Sequence, residues 1–496
     1  MHPNHHLPGN PAPQPNSNMQ KGEVLKFDYK NSTLYPGTTR AYWVYIPAVY
    51  KPSMPACLYV CLDGILFNAP DVFDSLVNNG HVPVIIGVFI QPGTVLREDG
   101  TVLRYNRSNE FDSLTDRFAR FIEEEILPDV QTRTATDGRK INISPHANDH
   151  AIGGASSGAI CAFTAAWQRP ALFSRVFSAI GTYVGMRGGD QYLALVRKTE
   201  PKPIRIYLQD NSNGTWNPLF GNWLKANIEM EAALTFAGYE VAYLWQEGGH
   251  DTKQATTIFA SAMRWLWKGW PQPVKSGRSA NAMLRTILDE HEDWRLVTQQ
   301  AGGTALAATA SGEIEIKDNT GVLLMPGGAR YMLKAGKDSA DGIIVYRQRG
   351  KRPLVADKDR FLGYTMAVSP DKRQLVVSCK HSHWLYSYTV KQDGKLADKQ
   401  KLYWLHNPGN DDISDIRSMA FDNNGNLYAA TEIGIQVCDP DGRVRAILSL
   451  PDGAVTAVCF GGEKFETLFA VCYGKLYKRK LKVVGTPSWA PAVKAI

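Results

Sequence analysis

Cysteine is scarce in this 496-residue chain: seven residues, with no Cys-x-x-Cys pair among them. A disulfide framework or a structural zinc site needs a denser pattern, so neither is expected. Most of the cysteines sit in apolar runs such as ACLYVCL and FAVCY, and read as small buried hydrophobes. No apolar run approaches the ~20 residues of a membrane helix, so no membrane partner is expected. Charge of one sign is also thin. Lys+Arg 55 against Asp+Glu 48 leaves a net charge of +7, which gives little support to a nucleic-acid partner. With 44% hydrophobic and 21% charged residues, the chain is not mostly disordered, collagenous or a coiled-coil rod. Residues 1–21, which carry His2, His5 and His6, lack an apolar signal-peptide core and read as a flexible tail.

From residue 22 to 272 strand-like and helix-like segments alternate. RAYWVYIP (40–47), ACLYVCLDG (56–64) and VPVIIGVFIQPG (82–93) read as strands. The stretch 111–130 places Leu114, Phe118, Phe121, Ile122 and Ile126 on one helical stripe, which Pro128 should end. Near-continuous apolar strands between amphipathic helices predict an α/β domain around a largely parallel sheet. Residues 273–309, which begin in WPQPVKSGRS (270–279), read as a linker and connecting segment. Beyond residue 310 the texture changes to short strands broken by turns such as SPDKRQ, DNNGN and DPDGR. They recur at ~40–55 residues, a spacing that predicts an all-β, propeller-like domain over 310–496.

The sharpest local signal is Gly154-Ala155-Ser156-Ser157-Gly158, between a strand end and an apolar helix. That context is the one a nucleophile elbow requires. A serine hydroxyl needs a base, and His250 supplies one, in a Gly-Gly turn after the strand YEVAYLWQ (239–246). The orienting acid should follow the strand PIRIYL (203–208), where Asp210 is the only carboxylate; Glu247 is next in line. The oxyanion donors should be the backbone N–H groups of Ser157 and Ile65. Trp216 and Trp223 are candidates to stack on a sugar or an aromatic acyl group.

These motifs, together with LDG (62–64), FIQPG (89–93), NRSNEFDSLTDRFARFIEEEILPDV (106–130) and GGHD (248–251), resemble the esterase D/enterochelin esterase-like group of α/β-hydrolases. That group overlaps carbohydrate esterase family 1. The resemblance implies serine ester hydrolysis without metal or cofactor, with feruloyl or acetyl esters of plant polysaccharides as substrates, outside the cell or in the periplasm. It also admits a siderophore esterase, or a non-catalytic carbohydrate-binding scaffold with a degraded triad. Related sequences carry the triad acid where this chain has Gly214, so either Asp210 has taken over or only a dyad is left. Residues 418–443 and 459–473 are similar to the gluconolactonase/SMP-30 group of six-bladed propellers, whose lactonases hold a divalent cation. Here Arg417 and Tyr364 stand where that group places an Asp and an Asn ligand, so a metal-free domain that extends the substrate groove or binds carbohydrate is expected.

Overall fold

The computed structural model describes residues 20–494 and the strand 5–6, except 303–304, 319–320, 335–341, 347–353, 360–361, 380–381, 408–415 and 452. The expected tail therefore lies, apart from that strand and residues 20–21, outside the described residues. The chain divides into two compact units: Met1–Arg197 with Pro201–Ser279, and Lys198–Glu200 with Ala280–Ile496.

The first unit begins with β1 (His5–His6), β2 (Glu23–Tyr29), β3 (Arg40–Ile46), β4 (Cys57–Leu62), α1 (Ala69–Asn78) and β5 (Ile85–Ile90). A hairpin of β6 (Thr94–Leu96) and β7 (Val102–Tyr105) follows, then α2 (Arg107–Phe111), α3 (Arg117–Phe121) and α4 (Leu127–Gln131). Next come β8 (His150–Ala155), α5 (Ser157–Gln168), β9 (Arg175–Ala179), α6 (Tyr192–Lys198) and β10 (Arg205–Asn211). A second hairpin, β11 (Trp216–Asn217) and β12 (Gly221–Asn222), precedes α7 (Trp223–Ala237), β13 (Glu240–Gln246) and α8 (Lys253–Leu266). Nine strands make one sheet in the order β1-β13-β10-β9-β8-β4-β5-β3-β2. Pairing is parallel from β1 to β5 in that order, and β3 and β2 are added antiparallel. Every residue of β4, β5, β8 and β9 is buried, as expected of strands covered on both faces. The α/β reading of this half is met.

The helix expected over 111–130 is broken. Phe111 ends α2, and α3 and α4 are joined by a π-helical turn at Ile122–Ile126. Pro128 does not end the helix but stands in the first turn of α4, which runs on to Gln131. The wider turn before it resets the hydrogen-bond ladder, so the missing proline N–H falls where a helix start leaves donors unused. The segment is anchored by Arg40 and Glu110, a fully buried two-pronged ion pair at 2.6 and 2.9 Å.

The second unit starts with α9 (Ala282–Ile287), β14 (Arg295–Thr298) and a hairpin of β15 (Ala305–Ala308) and β16 (Ile314–Lys317), so the expected connecting segment 273–309 contains a helix and two strands. Three antiparallel sheets then form in chain order. The first holds β17 (Val322–Leu324), β18 (Arg330–Lys334), β19 (Gly342–Tyr346) and β20 (Leu354–Lys358). The second holds β21 (Leu362–Val368), β22 (Gln374–Cys379), β23 (Trp384–Val390) and β24 (Leu396–Trp404). The third holds β25 (Met419–Phe421), β26 (Leu427–Thr431), β27 (Gly434–Cys438) and β28 (Val444–Leu448). A fourth sheet takes β29 (Val455–Gly461), β30 (Thr467–Cys472) and β31 (Lys475–Lys480), with the early strand β14 paired to β31. First strands of these sheets are neighbours: β21 beside β25, β25 beside β29, and β15 also beside β29. No sheet closes on itself among the described residues; the unit is an array of antiparallel sheets. Its DNNGN turn is held by one buried carboxylate, as Asp422 accepts from the N–H groups of Asn424 and Asn426, from Asn426 Nδ2 and from Tyr428 O–H.

Candidate active site

Ser156 lies between β8 and α5 at φ 57°, ψ −119°, a conformation that L residues rarely adopt. Such a position costs on the order of 1–3 kcal/mol and persists only where its surroundings enforce it. They do so here. The Ser156 N–H donates to Ala179 O at 3.0 Å, and its carbonyl accepts from Ala159 and Ile160. A Cβ on Gly154 would lie 2.6 Å from the carbonyl carbon and oxygen of Gly158, so the turn closes only with glycine at 154. The pentapeptide thus makes the sharp strand-to-helix turn its spacing implies.

The His250 Nε2 stands 3.0 Å from Ser156 Oγ. This brings together two residues 94 positions apart, in the geometry of a base that takes the serine proton. The Thr182 Oγ1 is a further partner of Ser156 Oγ, at 3.2 Å. Burial, and after it the Arg107 guanidinium, hold the imidazole below its ordinary value, while Asp251 opposes them. Ser157 opens α5, where its N–H has no acceptor within the helix. Ile65 follows Asp63 and Gly64, both at positive φ, on the turn after β4.

Asp210 does not meet the histidine. It lies within β10, fully buried, with Oδ1 accepting from the Asn211 N–H at 2.7 Å and Oδ2 from Asn227 Nδ2 at 2.8 Å. Burial pushes its carboxyl up to about 7, against those two bonds. The His250 Nδ1 is buried with no hydrogen-bond partner among the described residues. The next carboxylate, Glu247, is exposed. A Cβ on Gly214 would stand 3.6 Å from Asp210 Oδ1, so a carboxylate at 214 would start beside the one already there.

The two tryptophans part company. Trp223 is buried, with its ring edge-to-face on His250 at 5.6 Å between centroids, and its Nε1 donates to Thr182 Oγ1 at 3.3 Å. It walls the imidazole. Trp216 is 66% exposed on the β11–β12 hairpin, free to meet a ligand.

Sequence reasoning missed the residues that hold this arrangement. Asn211 Nδ2 donates to Gly249 O at 2.7 Å, and the Asn213 N–H donates to Gly248 O at 2.9 Å, tying the end of β10 to the turn that carries His250. Asn227, buried on α7, spans Gly181 O and Asp210. Amides carry no motif of their own, and only the fold brings these segments side by side. No group of three or more His, Cys, Asp or Glu suited to a metal occurs among the described residues.

Residues 34–262 match the family model described as putative esterase, and residues 318–472 match the SMP-30/gluconolactonase/LRE-like region. A curated relative, the 6-deoxy-6-sulfogluconolactonase of Pseudomonas putida, is 30% identical over 137 residues, 27% of this chain and 45% of that protein. The chain thus spans less than half the length of that relative. Among solved structures, a ferulic acid esterase aligns with a TM-score of 0.38 at 16% identity, over 50% of this chain and 99% of its own. The enterobactin esterase of Shigella flexneri aligns with a TM-score of 0.39 at 20% identity, over 51% of this chain and 62% of its own. A putative gluconolactonase aligns with a TM-score of 0.29 at 18% identity, over 36% of this chain and 71% of its own. The chain joins a domain of the putative-esterase family, at residues 34–262, to an SMP-30/gluconolactonase/LRE-like region at residues 318–472.

Proposed function

We propose that the first unit is a serine carboxylic-ester hydrolase acting on acylated carbohydrates, feruloyl or acetyl esters among them. The observation that carries this reading is the 3.0 Å contact of His250 Nε2 with Ser156 Oγ at a strained strand-to-helix turn. In the reaction, Ser156 Oγ attacks the ester carbonyl carbon while its proton passes to His250 Nε2. The negative oxygen of the tetrahedral intermediate meets the N–H groups of Ser157 and Ile65. Collapse expels the sugar alkoxide, which takes the proton from His250. Water then repeats the sequence on the acyl-enzyme and returns the free serine. Since His250 Nδ1 has no carboxylate partner among the described residues, the site works as a Ser156–His250 dyad walled by Trp223. The exposed Trp216 supports an aromatic or sugar contact beside it.

The unpartnered Nδ1 also favours a second reading, a carbohydrate-binding scaffold whose triad has decayed. Hydrolysis of p-nitrophenyl acetate and methyl ferulate by the wild type and by Ser156→Ala separates the two. The esterase reading requires turnover that disappears in the variant, together with a fluorophosphonate adduct on Ser156.

The second unit is read as a propeller-like module without a lactonase centre. The side chains at the two expected ligand positions stack instead, with the Arg417 guanidinium 5.5 Å over the Tyr364 ring, and a guanidinium repels a cation. The pairing of β14 with β31, which joins the start of the unit to its end, supports a ring of sheets.

A further inference from the structure

We propose that Arg107 is a positioning residue for the serine site: its guanidinium fork grips the Asp63 carboxylate and thereby holds the turn that presents the Ile65 N–H. The proposal rests on the esterase reading above and adds to it a group outside the Ser156–His250 pair.

Arg107 Nε donates to Asp63 Oδ1 at 2.7 Å and Nη2 to Oδ2 at 2.8 Å, a two-pronged hold that fixes orientation as well as distance. The carboxylate it holds belongs to a residue at φ 67°, and Gly64 follows at φ 82°. Two consecutive left-handed residues swing the chain out of β4 and bring it to Ile65. The Gly64 N–H donates to Ile90 O at 3.1 Å, which pins the turn from behind. Among the described residues, it is the side chain of Asp63 that ties this residue to a second element. On its other side Asp63 reaches the elbow, with Oδ2 at 2.9 Å from where a Cβ on Gly158 would sit. The residue whose carboxylate is held thus stands two positions before Ile65, and that carboxylate lies against the open face of Gly158 in the first turn of α5.

The base of the clamp is rigid. Arg107 opens α2, the helix whose Glu110 makes the fully buried pair with Arg40 and also accepts from the Gly93 N–H at 3.1 Å. The fork is presented from a fixed platform.

Arg107 has a second effect, on His250. The groups that act on that imidazole are Arg107 from α2 and Asp251 beside it; Asp210, at the end of β10, turns its oxygens to Asn211 and Asn227. The guanidinium opposes a second positive charge and keeps the base neutral to lower pH.

The test uses the full chain with p-nitrophenyl acetate, comparing Arg107→Gln, Arg107→Lys and Asp63→Asn, with Ser156→Ala as the reference for serine-dependent turnover. Arg107→Gln is expected to lower kcat by about 10²-fold with KM little changed, the scale of one lost oxyanion donor. It should also move the ascending limb of the pH–rate profile upward, and the His250 titration followed by NMR should move with it. Arg107→Lys keeps the charge and loses the fork, so its limb should stay low while kcat falls. Asp63→Asn should lower kcat as well, with KM little changed. A merely structural ion pair would not separate these variants. Serine-dependent turnover with an unmoved limb in Arg107→Gln, or with kcat close to wild type, overturns the assignment and leaves the esterase reading standing. Turnover that survives Ser156→Ala removes both.

Discussion

Asn211 Nδ2 and the Gly249 carbonyl oxygen meet at 2.7 Å, so the last residue of β10 holds the turn on which His250 stands. The parallel pairing of β10 with β13 ends at Asn211 and Gln246, and this side chain carries the contact three residues further. The base of the site is thus positioned by a neutral amide, where a carboxylate was expected. Asn211→Ala should lower kcat by roughly tenfold or more, since small displacements of a catalytic group are expensive. Circular dichroism and thermal melting check that the fold survives.

Asp210→Asn should behave differently. Because Asp210 does not touch His250, kcat should fall less than about tenfold, far from the ~10⁴ of a fully coupled triad acid. The stability effect has a definite sign. The carboxyl sits at about 7 in the folded chain against an ordinary 3.8, so the folded state binds more protons between those values. Wild-type stability should fall as pH rises from about 4 to about 7, and this component should vanish in Asp210→Asn. Urea unfolding at several pH values reads the difference.

Ser156→Ala should remove turnover by several orders of magnitude, up to ~10⁶, with little change in melting temperature. Near-normal hydrolysis in that variant would move the chemistry elsewhere.

The pH–rate profile of the wild type should rise along a limb set by His250. Burial and Arg107 both disfavour the imidazolium, so the midpoint should lie below the ordinary 6.5. A midpoint above that value would mean that a carboxylate supports Nδ1 after all.

Gly154→Ala should be severe. Its Cβ would stand 2.6 Å from backbone atoms of Gly158, which cannot swing aside as a side chain would. Overpacking of this kind costs roughly 1–3 kcal/mol or more. Melting and fluorophosphonate labelling of Ser156 would report the loss of stability and of the elbow together.

In the Ser156→Ala background, gluconolactone should not be hydrolysed when Ca²⁺, Zn²⁺ or Mn²⁺ is added. Metal-dependent turnover there would show that the Arg417–Tyr364 stack does not occupy a lactonase centre.

The apolar runs 57–62 and 85–90, and the Gly-x-Ser-x-Gly spacing, carried the parallel sheet, the elbow and the place of His250 on the linear chain. Each is a local property: strand burial on both faces needs continuous hydrophobicity, and a sharp turn needs glycine at fixed offsets. Turns such as Asp422-Asn423-Asn424-Gly425-Asn426 were equally plain, because their hydrogen bonds close within a few residues. What the tertiary structure decided was the company of each side chain. Asp210 was the right type at the right strand end, but the strand runs three residues beyond the expected Leu208 and turns that carboxylate toward Asn227. Pro128 reads as a helix end until a π-turn upstream resets the ladder. Trp223 and Trp216 look alike on paper, yet one walls the imidazole and the other faces solvent. Arg107 and Asp63, 44 positions apart, have no shared pattern at all. Periodicity and turn chemistry act over a few residues and can be read in order; contacts between the ends of separate strands depend on where the whole sheet brings them.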